Sequence, residues 1–129
     1  MFLLKNFYLD TTKGIDILSI GHEIRRVIRE AKAESGLVTV AVPFAGACLI
    51  VMEKDEKKME ERKKSFKGDE FMAKSLTIPI DKGELVTHPW QDVFLIDYET
   101  SGRRREFKVQ VQYDAPPPAK DAKEAKNKI

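Results

Sequence analysis

Only one cysteine, Cys48, stands in the 129-residue chain, so no intramolecular disulfide and no cysteine-based metal knuckle can form. Histidine is almost as scarce. His22 precedes Glu23, but no second histidine follows at helical spacing, which rules out the H-E-x-x-H zinc motif. The glycine patterns of dinucleotide sites, of P-loops and of the G-x-S-x-G nucleophile elbow are missing as well. No apolar run approaches membrane-spanning length, and Lys5 cuts short the apolar start Met1-Phe2-Leu3-Leu4 before it could form a signal-peptide core. These absences read as a cytoplasmic protein without a membrane partner. Charge of one sign is also lacking: 23 basic residues face 21 acidic ones, and a net charge of +2 gives no argument for nucleic acid. Asn and Gln are few (Asn6, Asn127, Gln91, Gln110, Gln112) while Lys and Glu abound, the composition of a thermophilic source.

What is present suits one compact domain over residues 1–114, followed by a flexible Pro/Lys/Ala-rich tail over 115–129. A chain of this size buries roughly two-thirds of its unfolded surface and folds without staples. Cys48, within ACLIV, reads as a buried inert thiol. Residues 3–11 predict a strand, with Leu3, Phe7 and Leu9 on one face and Leu4 and Tyr8 on the other, hence a strand covered on both sides. After a turn at 12–14, a helix is expected from Ser19 as N-cap. Its apolar stripe is Ile20, Ile24, Val27, Ile28 and Ala31, and Gly36 stops it. Arg25, Arg26 and Arg29 fall on the opposite face and read as solvated, with a phosphate-binding patch as the alternative.

Residues 37–42 and 48–52 predict strands, the first ended by Pro43 and the two connected by Phe44-Ala45-Gly46-Ala47. Residues 53–64 are nearly all charged, with Glu53–Lys57 and Glu60–Lys64 as i,i+4 pairs. They form either a solvated helix or a mobile excursion, anchored by Met59, Phe66, Phe71 and Met72. Further strands are expected at 75–80, with Pro79 at an edge or bulge, and at 84–87, 93–98 and 105–113. The elements sum to an α+β fold: largely antiparallel sheets or a sandwich, with one amphipathic helix.

His88-Pro89-Trp90-Gln91-Asp92 is the best candidate site, because it joins two strands and loops on rigid strands carry function. Trp90 offers a stacking face, Gln91 donors and acceptors, and His88 a group that titrates near neutrality. The competing reading has Trp90 plugging one end of the core. Arg103 and Arg105 are candidates to hold a small anion, although alternation sends Arg104 to the other face. Without a wider basic stripe, nucleic-acid binding through these arginines and the Lys-rich tail is disfavoured.

The segment SLTIPIDKGELVTHPWQDVFLIDYETSGRRREFKVQV resembles the C-terminal half of the YjbQ family. The resemblance rests on Leu76-Thr77-Ile78-Pro79, Asp81, Gly83, Leu85, Trp90-Gln91, Phe94-Leu95, the three arginines and Val109-Gln110-Val111. Upstream, VTVAVPFAGACLIVME shares the family frame at Pro43, Ala47 and Glu53. There Phe44 stands where the family has His, Ala45 and Gly46 where it has threonines, and Met52 where it has Asn. Residues 54–74 are shorter than the family's segment and lack its second His.

The resemblance implies a YjbQ-like fold, a homotrimer and descent from secondary thiamine-phosphate synthase-like proteins. It also implies loss of a His-based centre able to hold a metal or phosphate-like anion, since Phe44 has no lone pair. The leading expectation is therefore a non-catalytic oligomeric or binding protein, with no cofactor, no metal and no firm catalytic residue. The alternative is an enzyme on a small phosphorylated substrate, with His88, Asp92 and Glu53 as the candidate groups.

Overall fold

The computed structural model describes residues 1–43, 45–66, 73–101 and 104–114; the expected tail, and Phe71 and Met72, fall outside the described residues. The elements run β1 (Phe2–Asp10), β2 (Lys13–Ser19), α1 (Gly21–Ala31), β3 (Ser35–Ala41), β4 (Ala47–Glu53), α2 (Glu56–Ser65), β5 (Ser75–Asp81), β6 (Glu84–Leu85), β7 (Gln91–Ser101) and β8 (Arg104–Tyr113). All pairings are antiparallel: a five-stranded sheet ordered β1-β8-β3-β5-β6 and a three-stranded sheet ordered β2-β7-β4. The α+β expectation from the alternating strands holds.

Burial fixes how the layers stack. One apolar cluster joins Ile24, Val27 and Ile28 of α1 to Val38 and Val40 of β3, Phe107, Val109 and Val111 of β8, and Val93 and Leu95 of β7. Helix α1 and the small sheet therefore cover the same face of the large sheet. On the other face of the small sheet, Phe94 and Ile96 of β7 and Cys48 of β4 pack with Met59 of α2 and with Phe66, which follows the helix. β7 is thus buried on both sides, which is why VFLI reads as an unbroken apolar run.

Several expectations are corrected. Residues 13–19 form strand β2, hidden in the sequence because a register shift between Gly14 and Asp16 breaks the alternation. Ser19 ends that strand and caps nothing; α1 starts at Gly21 after Ile20, which has no side-chain cap. Gly36 lies in β3, and α1 is closed earlier by Lys32 in the left-handed conformation. Of the two readings of the charged segment, the helix holds. Asp55 caps it by accepting from the backbone N–H of Lys57 and Lys58 at 2.9 and 3.3 Å. Its ion pairs are Lys58–Glu53 and Lys63–Glu60 rather than the i,i+4 pairs. β1 also differs: Leu3, Phe7 and Leu9 pack inward, but Leu4 and Tyr8 are exposed, so the large sheet has one open face in the single chain. β5 is flanked beyond β3 only by the two-residue β6, so Pro79 sits where a missing N–H costs little.

Two buried carboxylates hold the ends of β7. Asp92, 2% exposed, accepts from Ser19 Oγ (2.8 Å), Arg25 Nη2 (3.3 Å) and the Val93 N–H (2.9 Å). Next to it, Ile20 N–H donates to the Val93 carbonyl at 2.9 Å, so the start of α1 is fastened to β7. Gly21 permits that approach: a Cβ there would lie 1.7 Å from Asp92 Oδ1. At the other end, Arg105 (4% exposed) donates to Asp97 (2% exposed) through Nε at 3.0 Å and Nη2 at 3.2 Å, and also binds Glu99. This contact ties β8 of the large sheet to β7 of the small one. Burial alone would raise the Asp97 carboxyl. Hydrogen bonds from Arg105, Thr11 and the Glu99 backbone, with the Arg105 charge, hold it below its ordinary value.

Gly21→Ala forces a methyl into a carboxylate that is fixed by three bonds, and is expected to cost about 1–3 kcal/mol in denaturant unfolding. A loss within a few tenths of a kcal/mol would show that this approach is not tight. Asp97→Asn leaves Arg105 buried with a weaker partner set, at an expected cost of about 3 kcal/mol at neutral pH. A depressed carboxyl stabilises the fold above its unfolded pKa of about 3.9 and loses that contribution as pH falls through the lower folded value. The stability gap between wild type and Asp97→Asn should therefore narrow below about pH 4, and a gap constant from pH 7 to pH 2 would contradict this account.

Candidate functional site

Residues 86–90 cross from β6 to β7 and are pinned along their length. Val86 N–H donates to the Pro79 carbonyl at 3.0 Å, Gln91 N–H to the His88 carbonyl at 2.9 Å, and Lys54 N–H to the Trp90 carbonyl at 2.8 Å. The His88 and Trp90 rings stack, with centroids 5.6 Å apart and planes inclined by 29°. Trp90 is 71% exposed, so it does not plug the core. Gln91 starts β7 directly opposite Glu53 at the end of β4. The chain thus builds a rigid loop that presents an indole to solvent.

Two depressions flank this loop and share His88 and Gln91. The larger, about 480 Å³, runs between α1 and residues 83–91, with Arg25 and Arg29 on one wall and Glu84, Thr87 and His88 on the other. The smaller, about 250 Å³, is lined by Glu53, His88, Trp90 and Gln91. Arg25 and Arg29 are one helical turn apart and therefore project together. Arg25 is steadied by Asp92 from below, whose second oxygen also lies 3.9 Å from Lys54 Nζ. Among the described residues Arg29 has no ion pair, and its charge is turned to the groove.

The candidate residues fall at two ends of the small sheet. His88, Trp90, Gln91, Glu53 and Asp92 come together at the β6–β7 end. Within that group Asp92 is buried and fully engaged, so it positions Arg25 rather than facing a ligand. The Glu53 carboxylate accepts from Lys58. Arg105 lies at the far end of β7 with Asp97 and Glu99, and Arg103 lies outside the described residues. Arg104, exposed, sits with its guanidinium carbon 4.7 Å from the centroid of the Tyr8 ring.

Phe44 lies outside the described residues, but its neighbours Ala45 and Gly46 belong to this Arg105 end. Gly46 has φ +85°, which disfavours a threonine, and a Cβ there would come within 2.8 Å of the Glu99 side chain and 3.3 Å of Arg105. At about 3.3 Å per strand residue, the length of β4 puts the two ends roughly 20 Å apart in one chain. Among the described residues, no three His, Cys, Asp or Glu side chains gather so as to hold a metal ion.

From the sequence, Arg25 and Arg29 read either as a solvated face or as a phosphate-binding patch. Their i,i+4 spacing was visible, but the opposite wall comes from residues some 60 positions away. Neither described helix is long and apolar enough to cross a membrane.

Comparison with known proteins agrees with this architecture. Residues 62–114 match the model of the family described as UPF0047 protein YjbQ-like. No curated protein matches the chain. Among solved structures, a YbjQ-like protein of unknown function from Sulfolobus solfataricus P2 superposes with a TM-score of 0.82 at 17% identity, covering 88% of this chain and 99% of that one. A hypothetical protein from Aeropyrum pernix K1 gives 0.79 at 18% identity, covering 87% and 99%. An uncharacterised conserved protein of the yjbq/upf0047 family from Clostridium acetobutylicum gives 0.71 at 19% identity, covering 84% and 99%. Residues 62–114 are thus similar to the YjbQ-like family, and over most of its length the chain has the fold of YjbQ-like proteins.

Proposed function

We propose that this protein is a non-catalytic, cytoplasmic binding protein that takes a small phosphorylated or otherwise anionic compound in the groove between α1 and residues 83–91. The observation that carries the reading is the convergence of Arg25 and Arg29 on one wall, with the donors of Gln91 and Thr87 within the same groove. Guanidinium groups suit phosphate oxygens through paired N–H donors, and a groove of about 480 Å³ is of the size that takes small ligands. Asp92 supports the site by fixing Arg25 before a ligand arrives, which lowers the ordering cost of binding. Glu84 on the opposite wall tempers the charge and favours an anion placed against the helix.

The non-catalytic part rests on the family positions. Phe44, Ala45, Gly46 and Met52 replace groups with lone pairs or hydroxyls, and Met52 packs with Met59 in the apolar cluster under α2. Low amide content with abundant Lys and Glu supports a thermophilic source. A homotrimer is supported by the resemblance and by the open face of the large sheet, where Phe2, Leu4 and Leu37 are exposed. A second reading, an enzyme acting on a small phosphorylated substrate, is favoured by one fact: Glu53, His88 and Trp90 line one pocket.

Calorimetric titration with inorganic phosphate and glycerol phosphate should show saturable binding, weakened about tenfold or more in Arg29→Ala, the effect of losing a charge-assisted hydrogen bond. No binding, or equal binding by the variant, would remove the groove from consideration. Assayed in parallel, the protein should form no thiamine phosphate; turnover abolished by His88→Ala would replace the binding reading with the enzymatic one. Light scattering should report a trimer, and Leu4→Lys should shift it towards monomer. A monomeric wild type, or a variant of unchanged mass, would contradict assembly through this face.

A further inference from the structure

The smaller pocket offers different chemistry from the groove beside it. Its lining is a tryptophan face, a carboxylate, an imidazole and a carboxamide, with no arginine or lysine among them. Trp90 is the only tryptophan in the chain and is 71% exposed, an apolar surface that water solvates poorly. It is also held still, because its carbonyl accepts from Lys54 N–H and its ring stacks on His88. A fixed indole with an open face presents the negative side of its quadrupole to whatever enters. Glu53 supplies a full negative charge at the edge of the same pocket. The chain shows what that carboxylate accepts, since the Lys58 ammonium from α2 already binds Glu53 Oε2.

We propose that the pocket formed by Trp90, Glu53, His88 and Gln91 is a binding site for a small organic cation, a primary or quaternary ammonium group seated on the indole face and balanced by Glu53. Lys58 occupies the carboxylate while the pocket is empty and competes with the incoming cation. The volume of about 250 Å³ admits a choline-sized group and no large ring system beyond it. The site is separate from the anion groove, although His88 and Gln91 form part of both walls.

The single tryptophan makes the test direct, because its emission reports this pocket alone. Choline should change Trp90 fluorescence to saturation, whereas 3,3-dimethylbutan-1-ol, its uncharged isostere, should not. Glu53→Gln should weaken choline and Lys58→Ala should tighten it, each by about 2–5-fold, the range of an exposed charge pair. Both positions are exposed, so both variants keep the fold. Arg29→Ala should leave the choline response unchanged, which separates failure of this site from failure of the anion groove. Absence of a saturable choline response in both wild type and Lys58→Ala would overturn the proposal. Equal binding of the isostere would also overturn it, by showing an apolar pocket indifferent to charge.

Discussion

A carboxylate in an apolar interior must find charge and hydrogen bonds or give up its ionisation, and this fold places two of them on its most buried strand. β7 contributes Val93, Phe94, Leu95 and Ile96, all without solvent contact, to the packing on both of its faces. Polar groups enter only at its ends, as Asp92 and Asp97. Each end then requires an arginine from elsewhere in the chain. Arg25 reaches down from α1 to Asp92, and Arg105 reaches across from β8 to Asp97. The first contact sets the helix over the small sheet; the second joins the two sheets. Apolar area supplies most of the stabilisation, but these two pairs decide where the layers stand relative to one another.

The same two ends organise what the surface can do. At the Asp92 end, Arg25 is drawn partly into the interior while Arg29, one turn on, stays at the surface. The helix therefore presents to the groove one guanidinium tied to Asp92 and one, that of Arg29, with no ion pair among the described residues. The 86–90 loop closes the opposite wall, with Val86 N–H tied to Pro79 and the His88 and Trp90 carbonyls tied to Gln91 and Lys54. At the Asp97 end, Arg105 is spent on Asp97 and Glu99, and Gly46 is pressed against that pair. Substitution of Gly46 thus bears on a different part of the molecule from the Trp90 loop. Any site that used both ends would need two copies of the chain, because β4 separates them.

Much of this was legible in the residues. Strict alternation in Phe107, Val109 and Val111 gave β8 its inward face, and the apolar stripe of α1 was read correctly from Ile24 to Ala31. Where alternation is interrupted, legibility fails for a physical reason. The register slip at Gly14 and Asp16 hid β2, and that in turn moved the expected helix start onto Ser19. α2 carries almost no apolar periodicity because only Met59, with Phe66 at its end, touches the core. Arg105 shares the inward parity of Phe107, yet parity alone cannot name its partner. That partner, Asp97, lies on another strand of another sheet. Likewise nothing local distinguishes Arg29 from an ordinary solvated arginine, because residues 83–91 build the facing wall.

The two depressions around His88 follow from one arrangement. An exposed indole costs solvation unless something covers it, and a loop tied down at Pro79, His88 and Lys54 cannot fold Trp90 back into the core. The stack on His88 covers part of one ring and leaves the rest to solvent. Because α1 brings cations to one side of that loop and the end of β4 brings a carboxylate to the other, the charges cannot neutralise each other across it. The loop acts as a partition, with Arg29 on one side and Trp90 with Glu53 on the other. The two proposed sites therefore differ in the charge of their walls, with the backbone between them already in place.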